Sequence, residues 1–109
     1  LRTAIGGSGP EVTYSFRLYV AGDTARSQAA ASNLRFLCES RLHSDYELEV
    51  IDAVQRPELA ERERIIATPT VLRLAPLPQL RVIGDLSDHE RAAAFLGLPG
   101  LDELSSERW

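Results

Sequence analysis

The sequence predicts an α/β domain with the element order β-α-β-α-β-β-α. Two stretches of alternating apolar residues, separated by a long run at helical spacing, predict a parallel βαβ unit. Two shorter strands joined by a proline-rich turn and followed by a capped helix predict an antiparallel ββα unit. The chain has 109 residues, 44% of them hydrophobic, which is one domain's worth with an ordinary globular core.

Residues 1–12 hold Gly6-Gly7-Ser8-Gly9 and no periodicity, so a flexible leader is expected there. These glycines are no dinucleotide fingerprint, because no strand precedes them and the spacing is wrong. The stretch begins at Leu1 and contains no methionine, so it is expected to lack its native start. Tyr14–Ala21 reads as a strand with Phe16, Leu18 and Val20 on one face. Gly22-Asp23-Thr24 ends it, and Asp23 or Thr24 is a good N-cap. A helix then runs to about Leu42, with Ala30, Leu34, Leu37, Cys38 and Leu42 at helical spacing. His43-Ser44-Asp45 breaks it.

Tyr46–Asp52 alternates, with Tyr46, Leu48 and Val50 against Glu47 and Glu49, the pattern of a strand with one wet face. Pro57 suits the first turn of a helix that continues towards Ile66, with Ile65 and Ile66 expected to face inward. Thr68-Pro69-Thr70 interrupts. Val71–Ala75 is a short strand, Pro76-Leu77-Pro78 a stiff turn, and Leu80–Gly84 the antiparallel partner. Ser87-Asp88-His89-Glu90 reads as a capping box before a helix over Arg91–Leu98, closed by Gly97, Pro99 and Gly100. The folded domain is placed at residues 13–99, and 100–109 reads as an acidic tail. This order of elements is the thioredoxin-like arrangement.

In that arrangement a redox Cys-x-x-Cys would sit at the start of the first helix, where the helix dipole lowers a thiol pKa. Gly22, Asp23, Thr24 and Ala25 stand there instead. Disulfide exchange needs sulfur, so this chemistry is excluded. Cys38, the single cysteine, lies on the apolar face of a helix and reads as a core residue. Thr68-Pro69 occupies the position of the fold's cis-proline; it reads as structural, or as an exposed backbone platform for a partner. His43 and His89 are the only histidines and neither has a second ligand at metal spacing, so no metal and no cofactor are expected. Both read as surface or capping residues. No serine lies in a Gly-x-Ser-x-Gly turn. Carboxylate pairs such as Asp52 with Glu58, or Glu61 with Glu63, read as solvated helix faces. The expected activity is therefore binding, not catalysis.

The formal charge is -4, from 16 acids and 12 bases, which argues against a nucleic-acid partner. Every base is arginine, which fits codon usage in a GC-rich genome or carboxylate and phosphate partners for its planar fork. One cysteine can form no internal disulfide, and no apolar run is long enough to cross a bilayer, so the expected location is the cytoplasm with no membrane partner. Glu47, Glu49, Arg56, Glu58, Glu61, Arg62 and Arg64 crowd the second strand and helix. Their pattern fits either ordinary solubility or an electrostatically complementary docking surface.

Five segments fall in order at spacings that resemble the KaiB family of circadian clock proteins. They are Leu18-Tyr19-Val20-Ala21-Gly22, Val50-Ile51-Asp52, Pro57-Glu58-Leu59-Ala60-Glu61, Ile66-Ala67-Thr68-Pro69-Thr70 and Ile83-Gly84-Asp85-Leu86-Ser87. The resemblance covers about Tyr14–Leu98, and Gly84-Asp85-Leu86-Ser87 favours KaiB over the related sensor domain of the clock's histidine kinase. It implies docking on a KaiC-type hexameric ATPase, with KaiA or that kinase as further partners. It also implies a metamorphic fold, whose resting tetramer has the order β-α-β-β-α-α-β, and a homo-oligomer of two or four chains. A chaperone-like or stress-response module, motivated by the exposed bend at Pro69 and the charged faces, is the alternative.

The same resemblance assigns residues. Partner contacts fall on Glu49, Arg56, Glu58, Glu61, Arg64 and Arg81. Glu49 stands where the family has a docking lysine, Arg64 keeps a basic docking position, and Arg81 is one of two arginines before Ile-Gly-Asp. Fold-switch or cis-proline positions fall on Pro69, Pro76, Pro78, Phe95 and Gly97, the last two standing for a family glycine and aspartate. Leu77 interrupts the family's proline run. These changes fit a divergent paralogue paired with its own KaiC homologue. The capped, alanine-rich Ser87–Leu98 prefers helix, so the thioredoxin-like form is expected in the monomer.

Overall fold

A computed structural model of the chain describes residues 13–42 and 45–100. The leader, His43, Ser44 and the tail beyond Gly100 lie outside these described residues. The order is β1 (Tyr14–Val20), α1 (Ala25–Leu42), β2 (Tyr46–Asp52), α2 (Pro57–Arg62), β3 (Thr70–Ala75), β4 (Leu80–Ile83) and α3 (His89–Leu96). The sheet has the strand order β2-β1-β3-β4. β1 pairs parallel with β2 and antiparallel with β3, and β3 pairs antiparallel with β4. The expected thioredoxin-like order is the one observed.

The alternation of β1 explains its central place. Phe16, Leu18 and Val20 enter the larger core with Ala30, Leu34, Leu37, Cys38 and Leu42 of α1 and with Ala92, Ala93 and Leu96 of α3. Tyr19 points the other way, into a smaller cluster with Ile51 and Leu72, against which Leu59, Ala60 and Ile65 pack. So α1 and α3 cover one face of the sheet, and short α2 covers only part of the other.

Thr24 is the N-cap of α1: its hydroxyl oxygen accepts the Ser27 N–H at 3.1 Å. The buried Ser27 hydroxyl in turn accepts the Ala21 N–H at 3.3 Å, so the loop where a thiol pair would lie is closed by hydroxyls. At the other end of α1, Arg41 is buried, donating to the Pro99 carbonyl at 3.1 Å and to Glu90 at 3.4 Å.

Four sequence expectations need correction. First, α2 stops at Arg62 instead of reaching Ile66. Arg64 turns left-handed at φ 58, its N–H donates to the Glu61 carbonyl, and the Ile65 N–H donates to Ala60 at 2.9 Å. This is a Schellman end with arginine where glycine is usual. The turn sends Ile65 inward and leaves Ile66 84% exposed. Second, the N-cap of α3 is Asp88, which accepts the Arg91 N–H at 3.1 Å, so Ser87 is no capping-box serine and the helix spans His89–Leu96. Asp88 wins because a carboxylate is a strong cap and its register lets Ala92, Ala93 and Leu96 face the core. Third, Asp52 is not on a helix face: it ends β2 and accepts the N–H groups of Gly22 at 3.2 Å and Val54 at 2.9 Å. Fourth, Pro69 is fully buried and its carbonyl accepts the Gly84 N–H at 2.9 Å, so it is no exposed platform. One of the two motives for a chaperone-like reading, the exposed bend, goes with it.

Candidate functional site

The partly bare face of the sheet is the candidate site, and the strand register builds it. Glu49 pairs with Arg17, Arg17 with Leu72, and Leu72 with Arg81, so these side chains form one row across the four strands. Arg17 Nε donates to Glu49 at 3.1 Å, and its Nη1 reaches Glu63 at 3.5 Å. Partial burial works against the Arg17 charge, but the hydrogen bond and charge of Glu49 outweigh it, and the guanidinium is held above its usual pKa. Glu49 therefore has an internal counterion, although it stands at a position read as a partner contact.

Arg81, at the far end of the row, aims its fork at the end of α2. It donates to the Arg64 carbonyl at 2.8 Å and to the Glu63 carbonyl at 2.7 Å. The row thus runs from Glu49 to Arg81, and Arg81 ties it to the backbone of Arg64. Arg56 and Glu58 lie at the start of α2, joined at 3.2 Å. The Glu58 carboxyl is held below its usual pKa, first by its own backbone N–H and then by Arg56. Glu61 lies on the exposed outer turn of α2. A six-residue helix is about 9 Å long, so Arg56, Glu58, Glu61 and Arg64 lie close together along it.

The second predicted set is gathered elsewhere, by a residue that the sequence reading missed. Arg73 is buried on β3 and donates to the Leu96 carbonyl at 3.0 Å and to the Pro78 carbonyl at 2.9 Å. Its guanidinium lies 6.0 Å from the centre of the Tyr14 ring. It ties the Pro76–Pro78 turn to the end of α3, where Gly97 takes φ 67 and Phe95 is 58% exposed. An arginine inside the apolar run Val71-Leu72-Arg73-Leu74 was the available signal, since a buried charge needs partners. The peptide bonds before Pro69, Pro76 and Pro78 are cis.

Cys38 has no exposure and burial pushes its thiol up to about 12, which leaves no reactive thiolate at neutral pH. His89 bridges helices more than it caps one: Nε2 lies 3.0 Å from Asn33 Oδ1, and the ring stacks on Phe36 at 4.8 Å. Among the described residues no three His, Cys, Asp or Glu side chains gather as a metal site, and no helix is long and apolar enough to cross a membrane.

Fold and site define a thioredoxin-like domain that lacks the fold's thiol pair and carries a charged row on a half-covered sheet face. Residues 17–98 match the KaiB domain family. The chain is 46% identical over 99 residues to the circadian clock oscillator protein KaiB of Prochlorococcus marinus strain MIT 9303, covering 90% of this chain and 82% of the relative. It is 45% identical over 98 residues to the protein of the same name from Synechococcus elongatus strain PCC 7942, covering 90% of this chain and 91% of the relative. The chain belongs to the KaiB family.

Among solved structures, the N-terminal domain of Synechococcus elongatus SasA superposes with a TM-score of 0.67 at 19% identity, covering 87% of this chain and 93% of that one. Mitochondrial thioredoxin 3 of Saccharomyces cerevisiae gives 0.62 at 15% identity, covering 78% of each chain. Both establish the fold.

Proposed function

We propose that this protein is a non-enzymatic regulatory module that docks on a KaiC-type hexameric ATPase, through the half-covered sheet face and α2. The observation that carries this reading is the cross-strand row whose two ends, Glu49 and Arg81, are exposed, with Arg81 holding the Arg64 carbonyl and with Arg56, Glu58 and Glu61 exposed around α2. Membership of the KaiB family supports the clock partner. The thiol chemistry of the fold has no group to perform it, because the only cysteine is buried in the core.

Contact roles are proposed for Arg56, Glu58, Glu61 and Arg64, whose side chains are exposed. Glu49 acts mainly through Arg17: its charge is half neutralised before a partner arrives. Pull-down of tagged protein with a KaiC-type hexamer plus ATP tests the reading. Retention of the hexamer supports it, and retention that survives Arg64→Glu undiminished removes Arg64 from the interface.

A further inference from the structure

We infer that the turn over residues 63–67 is a preset docking knob, with Ile66 at its tip and Arg81 as the residue that positions it. It fits an apolar socket rimmed by carboxylates. The identity of the partner rests on the function proposed above; the build of the knob does not.

The knob begins with a backbone cost. Arg64 sits at φ 58 at the Schellman position where glycine is favoured, and a side chain there is strained. Such strain persists only when its surroundings hold it, and here three restraints do. Ile65 behind the turn is half-buried, packed like Leu59 and Ala60 against the Tyr19, Ile51 and Leu72 cluster. The Ile65 N–H is bonded to Ala60 at 2.9 Å. The Arg81 fork spans the consecutive carbonyls of Glu63 and Arg64 at 2.7 and 2.8 Å. Only a planar guanidinium makes both bonds in one plane; an ammonium is a point charge.

The outcome is an isoleucine pushed into solvent. Ile66 is 84% exposed, against 5% for Ile51 on the same side of the sheet. Its neighbours set the charge of the rim. The Glu63 carboxylate is turned inward to Arg17, while Arg62 and Arg64 are exposed and have no ion pair among the described residues. A rigid apolar tip that follows two exposed, unpaired arginines is complementary to an apolar socket with an acidic rim. Because the tip is held before binding, little ordering cost remains when it docks. Arg81 is then a positioning residue: one N–H of each Nη is committed to the backbone of the turn.

The test compares wild type, Ile66→Ser and Arg81→Lys in two measurements. One is amide hydrogen exchange of Ile65 in the free protein. The other is titration of a KaiC-type hexamer with ATP. Ile66→Ser is expected to melt as wild type does and to bind roughly tenfold more weakly. Arg81→Lys keeps its charge, yet is expected to exchange the Ile65 amide roughly tenfold faster and to bind roughly tenfold more weakly. Wild-type binding by Ile66→Ser overturns the tip, and wild-type exchange in Arg81→Lys overturns the clamp. Wild-type binding by Arg81→Lys, with faster exchange, overturns the link between clamp and docking. If the wild-type protein binds no such ring, the proposed function and the docking role fall together, while the exchange measurement still decides the clamp.

Discussion

Arg73 and Gly97 occupy each other's space: a Cβ added to Gly97 would lie 2.7 Å from Arg73 Nη1, the nitrogen that donates to the Leu96 carbonyl. The glycine thus serves two needs at once, a left-handed helix end at φ 67 and room for a buried guanidinium. Gly97→Ala is expected to destabilise by about 2–3 kcal/mol, from the left-handed strain and the displaced hydrogen bond. Urea unfolding measures it. In an Arg73→Ala background the same substitution should cost clearly less, because only the backbone strain remains.

Arg41 and Glu90 form an unequal pair, with the arginine side chain 6% and the glutamate 85% exposed. Arg41→Ala should cost about 2 kcal/mol, because it strips the Pro99 carbonyl of a charged donor and leaves a gap at the end of α1. Glu90→Gln should cost less than about 0.5 kcal/mol, since an exposed ion pair contributes little. Thermal melts of the two variants separate these contributions.

Arg17 and Glu49 are cross-strand partners on the sheet face. A lysine at position 49 places like charges opposite each other, so Glu49→Lys should lose about 0.5–1 kcal/mol at low salt. Adding Arg17→Glu should recover only part of it, because the new carboxylate then faces Glu63, and high salt should shrink both effects. A double-mutant cycle at two ionic strengths reads the coupling.

Stability should fall in alkaline solution. The folded Cys38 thiol keeps its proton up to about 12, whereas an unfolded one releases it from the ordinary value of 9.0. The contribution is complete below pH 9 and is lost as the pH rises from 9 to 12, because the unfolded state then binds fewer protons than the folded one. The Tyr46 hydroxyl is pushed up to about 12, first by its hydrogen bond to Glu39 at 2.6 Å and then by burial, and it adds to the loss from pH 10 upwards. Urea midpoints followed from pH 8 to 11 should decline, and Cys38→Ala should flatten the first part of the decline.

The layers of the fold were readable because β1 and α1 announce their periods without ambiguity. Phe16, Leu18 and Val20 alternate, and Leu34, Leu37, Cys38 and Leu42 follow a helical stripe into the same core. Failures occurred where tertiary contacts overrode local pattern. Nothing near Arg64 in the sequence signals a helix end, since the device that stabilises it, Arg81, comes seventeen residues later and from another strand. Ile66 looked like core for the same reason. Asp52 and Arg73 act on backbone groups distant in sequence, which no spacing rule reveals. The charged row could be suspected from composition alone. Its internal pairing could not, because whether Glu49 faces a partner or Arg17 depends on strand register.

Sedimentation velocity of the protein with a KaiC-type hexamer and ATP bears most directly on the docking role. The expected result is co-sedimentation of wild type with the ring, and a clear loss of the bound fraction for Arg64→Glu in a protein whose melt is unchanged. A wild-type protein that sediments separately from the ring across the accessible concentration range, with ATP present, contradicts the account.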